Sequence, residues 1–342
     1  MSSTLSSGVP TPVSDLVSHV LGIRLVEETD GPRLDNSMLD DRVVVQIGTY
    51  NANLQGNEGL PQNLVDWLVP SLQVSTFLGN TRTAPDFVAI GFQELLPLQF
   101  GCKSYPPMQQ QTPRTSSVFS IVVTGLSNHI MRSRNQLIRS QLEIHAPQKE
   151  QYTLVAEVVN VGIALLVYAR DDTVALRVSD VQTQWTTCGP GWMGNKGAVG
   201  VRFVVASRDG GPGEIYTFVN AHLTPHESNS DRRIADYKHI VQTLLFSSTD
   251  PSLTGQHANI YDTTHLFFFG DLNFRVDPPV GMDRNELESS VRTEQGREQL
   301  RQHDQLNVAK AAGKAFNGLH EGEFWKFQCT YRHECGQVDQ YQ

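Results

Sequence analysis

The chain is short of cysteine, with four in 342 residues, at positions 102, 188, 329 and 335. Residues so few and so scattered cannot staple a fold, which excludes a disulfide scaffold and points to a reducing compartment. Cys329, His333 and Cys335 are the one local cluster, but their spacing fits no usual zinc pattern and no fourth ligand is evident. Long hydrophobic runs are missing too. The longest, 158–169, is interrupted by Asn160 and falls far short of the ~20 residues that span a bilayer. The opening MSSTLSSGVPTPVSD has no basic stretch followed by an apolar core, so no secretory leader is expected. Nothing marks a lipid anchor, so a cytoplasmic location is expected, with any contact to a membrane surface peripheral. Positive charge is in deficit: 27 Lys and Arg against 36 Asp and Glu leave a formal net charge of −9. Proteins that coat nucleic acid rely on many Lys and Arg contacts to phosphate, so no nucleic-acid partner is expected. A small anionic substrate needs only a local basic pocket and stays open. No protein partner is indicated.

What the chain does contain is a globular composition, 39% hydrophobic and 18% charged. Residues 1–41, rich in Ser, Pro, Asp and Gly, read as an N-terminal arm with a short helix near 17–25. Residues 42–342 show no repeat and no linker and read as one continuous domain. The β-branched run at 43–51 predicts a strand. Pro61 opens a predicted helix whose apolar stripe is Leu64, Val65, Leu68 and Leu72. A strand at 87–92 follows, then a loop at 100–115 and a helix at 116–145. Strands are expected at 152–169, 174–180, 198–206 and 214–221, a helix at 231–246, a strand at 265–269 and helix again at 283–314. Strands that alternate with helices but also follow one another directly suggest two mixed sheets packed together with helices outside.

The chain is organised around HLFFFGDLNFR, residues 265–275. An apolar run reads as a buried strand that Gly270 stops. Asp271 and Asn273, two apart, would face the same side if the backbone stayed extended. The same residues also suit an Asx-type turn. Other strands end in polar residues of the same kind: Asn51 on the first, Glu94 after the second, Asn220 and His222 on the strand before 223. Glu94 is the first choice for a hard cation, which takes one or two carboxylates and completes its shell with water and substrate phosphate. A solvated cap or an ion pair is the plainer reading of the same side chain. The Gly-rich loop 189–198 carries Lys196, a point charge among glycines that let backbone amides approach an anion. Trp192 and Met193 in that loop suit either membrane contact or core burial. Arg233 and Asp236, three apart on a predicted helix, suit an intrahelical pair.

Together these stretches resemble the inositol polyphosphate 5-phosphatases of the deoxyribonuclease-I-like superfamily. GTYNANLQG (48–56), FVAIGFQEL (87–95), MGNKGAVGVRF (193–203), NAHLTPH (220–226), FFFGDLNFRVD (267–277) and FWKFQCTYRHECGQVDQY (324–341) follow that family's motifs in order. The third is a signature that nucleases of the superfamily lack. The resemblance implies an α/β, four-layered sandwich of two mixed β-sheets flanked by helices. It implies Mg2+-dependent removal of a 5-phosphate from phosphoinositides or soluble inositol polyphosphates. By position, Glu94 with Asn51 would bind Mg2+, and Asp271 would orient or deprotonate the attacking water. Asn273, Asn220 and His222 would hold the phosphoryl oxygens, while Asn195, Lys196, His226, Tyr331 and Arg332 would bind the other phosphates.

The family pattern continues with a Trp-Cys-Asp-Arg and then a Ser-Asp-His motif on core strands, and this sequence stops at Gln342 before either. The expectation from that departure is a catalytic domain lacking its last core strands and poorly active or inactive, or else a non-catalytic phosphoinositide-binding fragment or a truncated gene model. A nuclease of the same fold is a third alternative.

Overall fold

The strand FVAIGFQ is buried at every one of its seven positions, the pattern of a strand covered on both faces rather than one that alternates between core and solvent. That strand is β2 (Phe87–Gln93) in a computed structural model that describes residues 43–53, 84–95, 113–189 (side chains from 127), 195–248, 255–323 and 326. The expected arm, the helix after Pro61, residues 190–194 of the Gly-rich loop and the segment around Tyr331 and Arg332 lie outside the described residues.

One sheet has the order β1 (Val45–Asn51), β2, β4 (Ile163–Arg170), β3 (Tyr152–Asn160). The other has the order β10 (His265–Asp271), β7 (Glu214–His222), β6 (Gly197–Val205), β5 (Val178–Thr187). In each sheet one pair is parallel, β1 with β2 and β10 with β7, and the other two pairs are antiparallel. A small third sheet pairs β8 (Phe246–Ser247) with β9 (His257–Ala258).

Apolar residues place the layers. Between the sheets lie Ile47, Phe87, Ala89, Leu165 and Val167 from one and Val199, Val201, Phe203, Phe218 and Phe267 from the other. An aromatic ladder runs through this seam: Phe87 to Phe203 at 5.2 Å, Phe203 to Phe218 at 5.9 Å, Phe218 to Phe267 at 4.8 Å. Each such ring, fully buried, contributes about 2–3 kcal/mol. The outer face of the first sheet packs Val88, Ile90, Phe92 and Leu166 on Met131, Ile138 and Leu142 of α1 (Pro113–His145). The outer face of the second packs Ala198, Val219 and Ala221 on Ile234, Tyr237 and Ile240 of α2 (Ser230–Thr243), with Phe316 beside them. Helix, sheet, sheet and helix make the expected four layers.

Three expected elements differ. The strand predicted over 152–169 is a hairpin, because Val161 adopts a left-handed φ of 53° and turns the chain at Val161–Gly162. A β-branched residue rarely does so, which is why the turn is hard to foresee. The strand expected at 174–180 instead runs Val178–Thr187, after a single 3₁₀ turn at Ala175–Arg177. The helix expected over 283–314 is three short ones, α3 (Arg284–Val291), α4 (Glu294–Leu300) and α5 (Gln305–Ala311). Asp283, Thr293 and Asp304 restart the helix each time as N-caps that accept a backbone N–H.

Candidate active site

Because β1 runs parallel to β2 and β7 to β10, each pair ends on the same side, and the sandwich sets the two pairs against each other. Their last residues therefore converge. Asn51 Nδ2 donates to Asp271 Oδ2 at 2.9 Å across 220 positions of sequence. His222 Nε2 lies 3.5 Å from Asp271 Oδ2 and 3.6 Å from Glu94 Oε1. Lys196, the residue before β6, donates its ammonium to His222 Nε2 and stands 3.9 Å from Glu94 Oε1. The base of its loop is closed by Cys188 N–H on Lys196 O at 2.8 Å.

Backbone conformation aims these groups. Gly270 adopts φ +125°, and a Cβ there would lie 2.1 Å from Ala221 O, so only glycine lets β10 bring Asp271 up against β7. Glu94 itself has φ 52°, a left-handed conformation rare for a non-glycine. It is held from below by Leu95 N–H on Gly162 O at 3.2 Å, which ties it to the β3–β4 hairpin.

The electrostatics are those of one cation between two carboxylates. Burial pushes the Glu94 carboxyl up, while the Lys196 charge and a hydrogen bond from Asn51 pull it down. Burial pulls the Lys196 ammonium down, and Glu94 and Asp271 oppose that. His222, 1% exposed, drops to about 3: burial dominates, Lys196 adds to it, and Asp271 opposes. The imidazole beside two carboxylates is therefore neutral at physiological pH, and its closeness to them is not an ion pair. Among the described residues no three of His, Cys, Asp and Glu form a self-sufficient metal cage. Glu94 and Asp271, with side chains 24% and 29% exposed, are hard oxygen donors. They suit a cation that keeps water and substrate phosphate in its shell.

A sequence profile described as Endonuclease/Exonuclease/phosphatase family 2 matches residues 48–342. The chain belongs to this family. Within it, the chain is 30% identical over 294 residues to the Type II inositol 1,4,5-trisphosphate 5-phosphatase of Mus musculus. That alignment covers 86% of this chain and 24% of the mouse protein. It is 28% identical over 302 residues to Synaptojanin-2 of Homo sapiens, covering 86% of this chain and 17% of that protein. The chain thus spans about a quarter or less of these curated relatives. Its fold matches the crystal structure of the inositol polyphosphate 5-phosphatase domain of SPSynaptojanin, solved with inositol (1,4)-bisphosphate and calcium ion. The TM-score is 0.56 and the identity 21%, with 80% of this chain and 64% of that one covered.

Not every expected residue of this family 2 member joins the cluster. Asn220 is fully buried between the sheets. Its Nδ2 donates to Phe92 O at 3.1 Å and Ala164 O at 2.8 Å, and its Oδ1 accepts from Gln93 Nε2 at 2.7 Å. The group expected to hold a phosphoryl oxygen instead ties the two sheets behind the site. Asn273 does not continue the alternation from Asp271. At φ 57° it turns, so that its N–H caps Asp271 Oδ1 at 3.2 Å while its amide donates to Leu223 O and accepts from Arg275. Asp271 thus closes an Asx turn with one oxygen and faces His222 with the other. Asn195 is exposed beside the cluster and its backbone hydrogen-bonds His222. His226 is exposed in the turn after β7. Arg233 and Asp236 do not pair on the helix as expected; both turn into the loop after β7. Gln93, not among the expected site residues, bridges Thr49 and Asn220. A lone amide in an otherwise apolar strand, one residue before Glu94, was the available signal.

Proposed function

We propose that the chain hydrolyses a phosphomonoester on an inositol ring, removing the 5-phosphate of a phosphoinositide or a soluble inositol polyphosphate with Mg2+. The observation that carries this reading is the convergence of Glu94, Asp271, His222 and Lys196 at the seam, two carboxylates with one cation and one neutral imidazole. The names of the relatives give the substrate class. The acidic net charge and the NKGAV stretch that opens β6 weigh against a nuclease.

Glu94 supplies the carboxylate for the cation, steadied by Asn51. Bound there, Mg2+ would supply Lewis acidity toward the phosphoryl oxygens and offset their charge. Asp271 holds and deprotonates the attacking water. Its orientation is fixed on one oxygen by Asn51 and on the other by the Asn273 N–H. Lys196 donates to phosphoryl oxygens as negative charge builds on them, and neutral His222, whose Nε2 accepts from that ammonium, orients it. Their mutual contact holds both in place before substrate arrives.

The test is phosphate release from short-chain phosphatidylinositol 4,5-bisphosphate and from inositol 1,4,5-trisphosphate, with Mg2+ and with EDTA. Release that needs Mg2+ and disappears in Asp271→Ala supports the reading. A folded chain that binds these ligands without releasing phosphate overturns it in favour of a binding module.

A further inference from the structure

α2 carries two oppositely charged side chains one turn apart, and each spends its hydrogen bonds on the loop after β7. Asp236 Oδ2 accepts the N–H of Thr224 at 2.9 Å and its hydroxyl at 2.6 Å. Arg233, 0% exposed, donates through Nη1 to Thr224 O at 3.2 Å and His226 O at 2.6 Å, and through Nη2 to Glu227 O at 3.3 Å and to Gln305 Oε1. Its guanidinium lies over the Phe274 ring at 5.2 Å. A buried cation that spends its hydrogen bonds on carbonyls and an amide, with the Asp277 and Asp236 charges acting on it from nearby, is an expensive way to stabilise a fold. It is an effective way to fix a loop, because the planar fork reaches several carbonyls in one geometry.

The loop so gripped follows His222 directly. Within it His226 holds φ 73° and ψ 145°, a conformation that a non-glycine keeps only when its surroundings enforce it. Arg233 Nη1 donates to the carbonyl of that residue at 2.6 Å. Gln305, at the start of α5, extends the grip. Its Nε2 donates to Glu227 O at 3.1 Å and Asp277 Oδ1 at 2.7 Å, and its Oε1 also accepts Arg275 N–H at 3.1 Å. Arg275 in turn holds Asn273 Oδ1 at 2.6 Å. The segment after β7 and the segment after β10 are thus joined by one buried network. Those two segments begin at His222 and Asp271.

We infer that Arg233, with Gln305, is a positioning residue that straps the loop 223–229 to the loop 272–277 and so sets where His226 and Asn273 stand relative to the Glu94 and Asp271 carboxylates. The catalytic consequence rests on the phosphatase reading above; the strap itself does not.

The experiment compares Arg233→Lys, Arg233→Met and Gln305→Met with the wild-type chain. Amide hydrogen exchange in 223–229 and in 272–277 is expected to quicken together, by about tenfold or more, while the strands β6 and β7 keep their protection. Unchanged exchange in the second loop overturns the strap, whatever the activity. For catalysis, Arg233→Lys is expected to lower kcat/KM about tenfold at a temperature where it stays folded. His226→Ala should then cost markedly less in the Arg233→Lys background than in the wild type, because one lever moves both. Strictly additive losses overturn the positioning role, since a residue that only supports the fold would give a lower Tm and additive kinetics. If the wild-type chain releases no phosphate, the phosphatase reading has failed and the exchange data alone decide the strap. If Arg233→Met does not fold, Gln305→Met, which keeps the guanidinium, carries the same two readouts.

Discussion

Gly91 on β2 and Asn220 on β7 face each other across the sandwich so closely that a Cβ at 91 would lie 2.6 Å from Asn220 Cγ. The missing methyl is what lets a carboxamide from one sheet reach the Phe92 and Ala164 carbonyls of the other.

Gly91→Ala is therefore expected to destabilise the chain by about 2 kcal/mol, the usual cost of overpacking a dense core. Asn220→Ala should cost about 2–3 kcal/mol by leaving the Gln93 amide and two carbonyls short of a partner. The double variant should lose clearly less than the sum, because the new methyl occupies space the carboxamide vacates. Denaturant unfolding of the four proteins measures this; simple additivity would show that the two residues do not share that space.

Asp271→Ala should lower kcat by ~10²–10⁴, the range for losing a group that handles a proton in the transition state. Asn51→Asp should lose activity on a similar scale, since it sets a carboxylate where Asp271 now accepts a hydrogen bond. Two adjoining carboxyls resist ionising together. Steady-state phosphate release reads both; wild-type kcat in Asn51→Asp would mean that Asn51 does not set the state of Asp271.

Lys196→Met is expected to raise KM by about tenfold, as an anion site loses its fixed charge. The Glu94 carboxyl should move further up, because Lys196 is the largest influence holding it down. The salt dependence of KM should flatten in the variant. A KM unchanged in both value and salt dependence would remove Lys196 from substrate binding.

Asp304 gives a pH dependence away from the site. Burial pushes its carboxyl from an ordinary value of 3.8 up to about 6, with Glu321 adding and the Asn307 N–H opposing. A folded value above the unfolded one means the native state holds the proton more tightly. The cost of the charge is then fully present above pH 6 and is relieved as pH falls toward 4. Asp304→Asn keeps a capping oxygen for α5 and removes the charge. It should be more stable than wild type at pH 8, by up to about 2 kcal/mol. That advantage should vanish near pH 4. Unfolding curves at both pH values test the sign.

The convergence of Asn51, Glu94, His222 and Asp271 was readable from sequence for a physical reason. Each sits at the end of an apolar run that can only be a strand, and parallel strands bring such ends together. What resisted reading was decided by backbone conformations that side-chain chemistry disfavours. Val161 turns a hairpin in the left-handed region, and Asn273 leaves the extended conformation, so that two-residue spacing no longer meant one face. Arg233 and Asp236 looked like a helix pair because spacing along a helix is local. Their real partners lie in a loop whose place is fixed only by the packing of α2. Asn220 and His222 share a strand face as expected, yet two residues of depth separate a sheet tie from a site residue.

The division of labour between the sheets has one more consequence. Asn51 and Glu94 come from the first half of the chain, Lys196, His222 and Asp271 from the second, and the hydrogen bond from Asn51 to Asp271 crosses between them. Strands advance ~3.3 Å per residue. A slip of one sheet past the other by a single residue would therefore break that bond and part the two carboxylates, with every strand intact. The site acts as a gauge of sheet docking: it exists only when both halves have closed in register, and neither half can hold a weaker version of it alone.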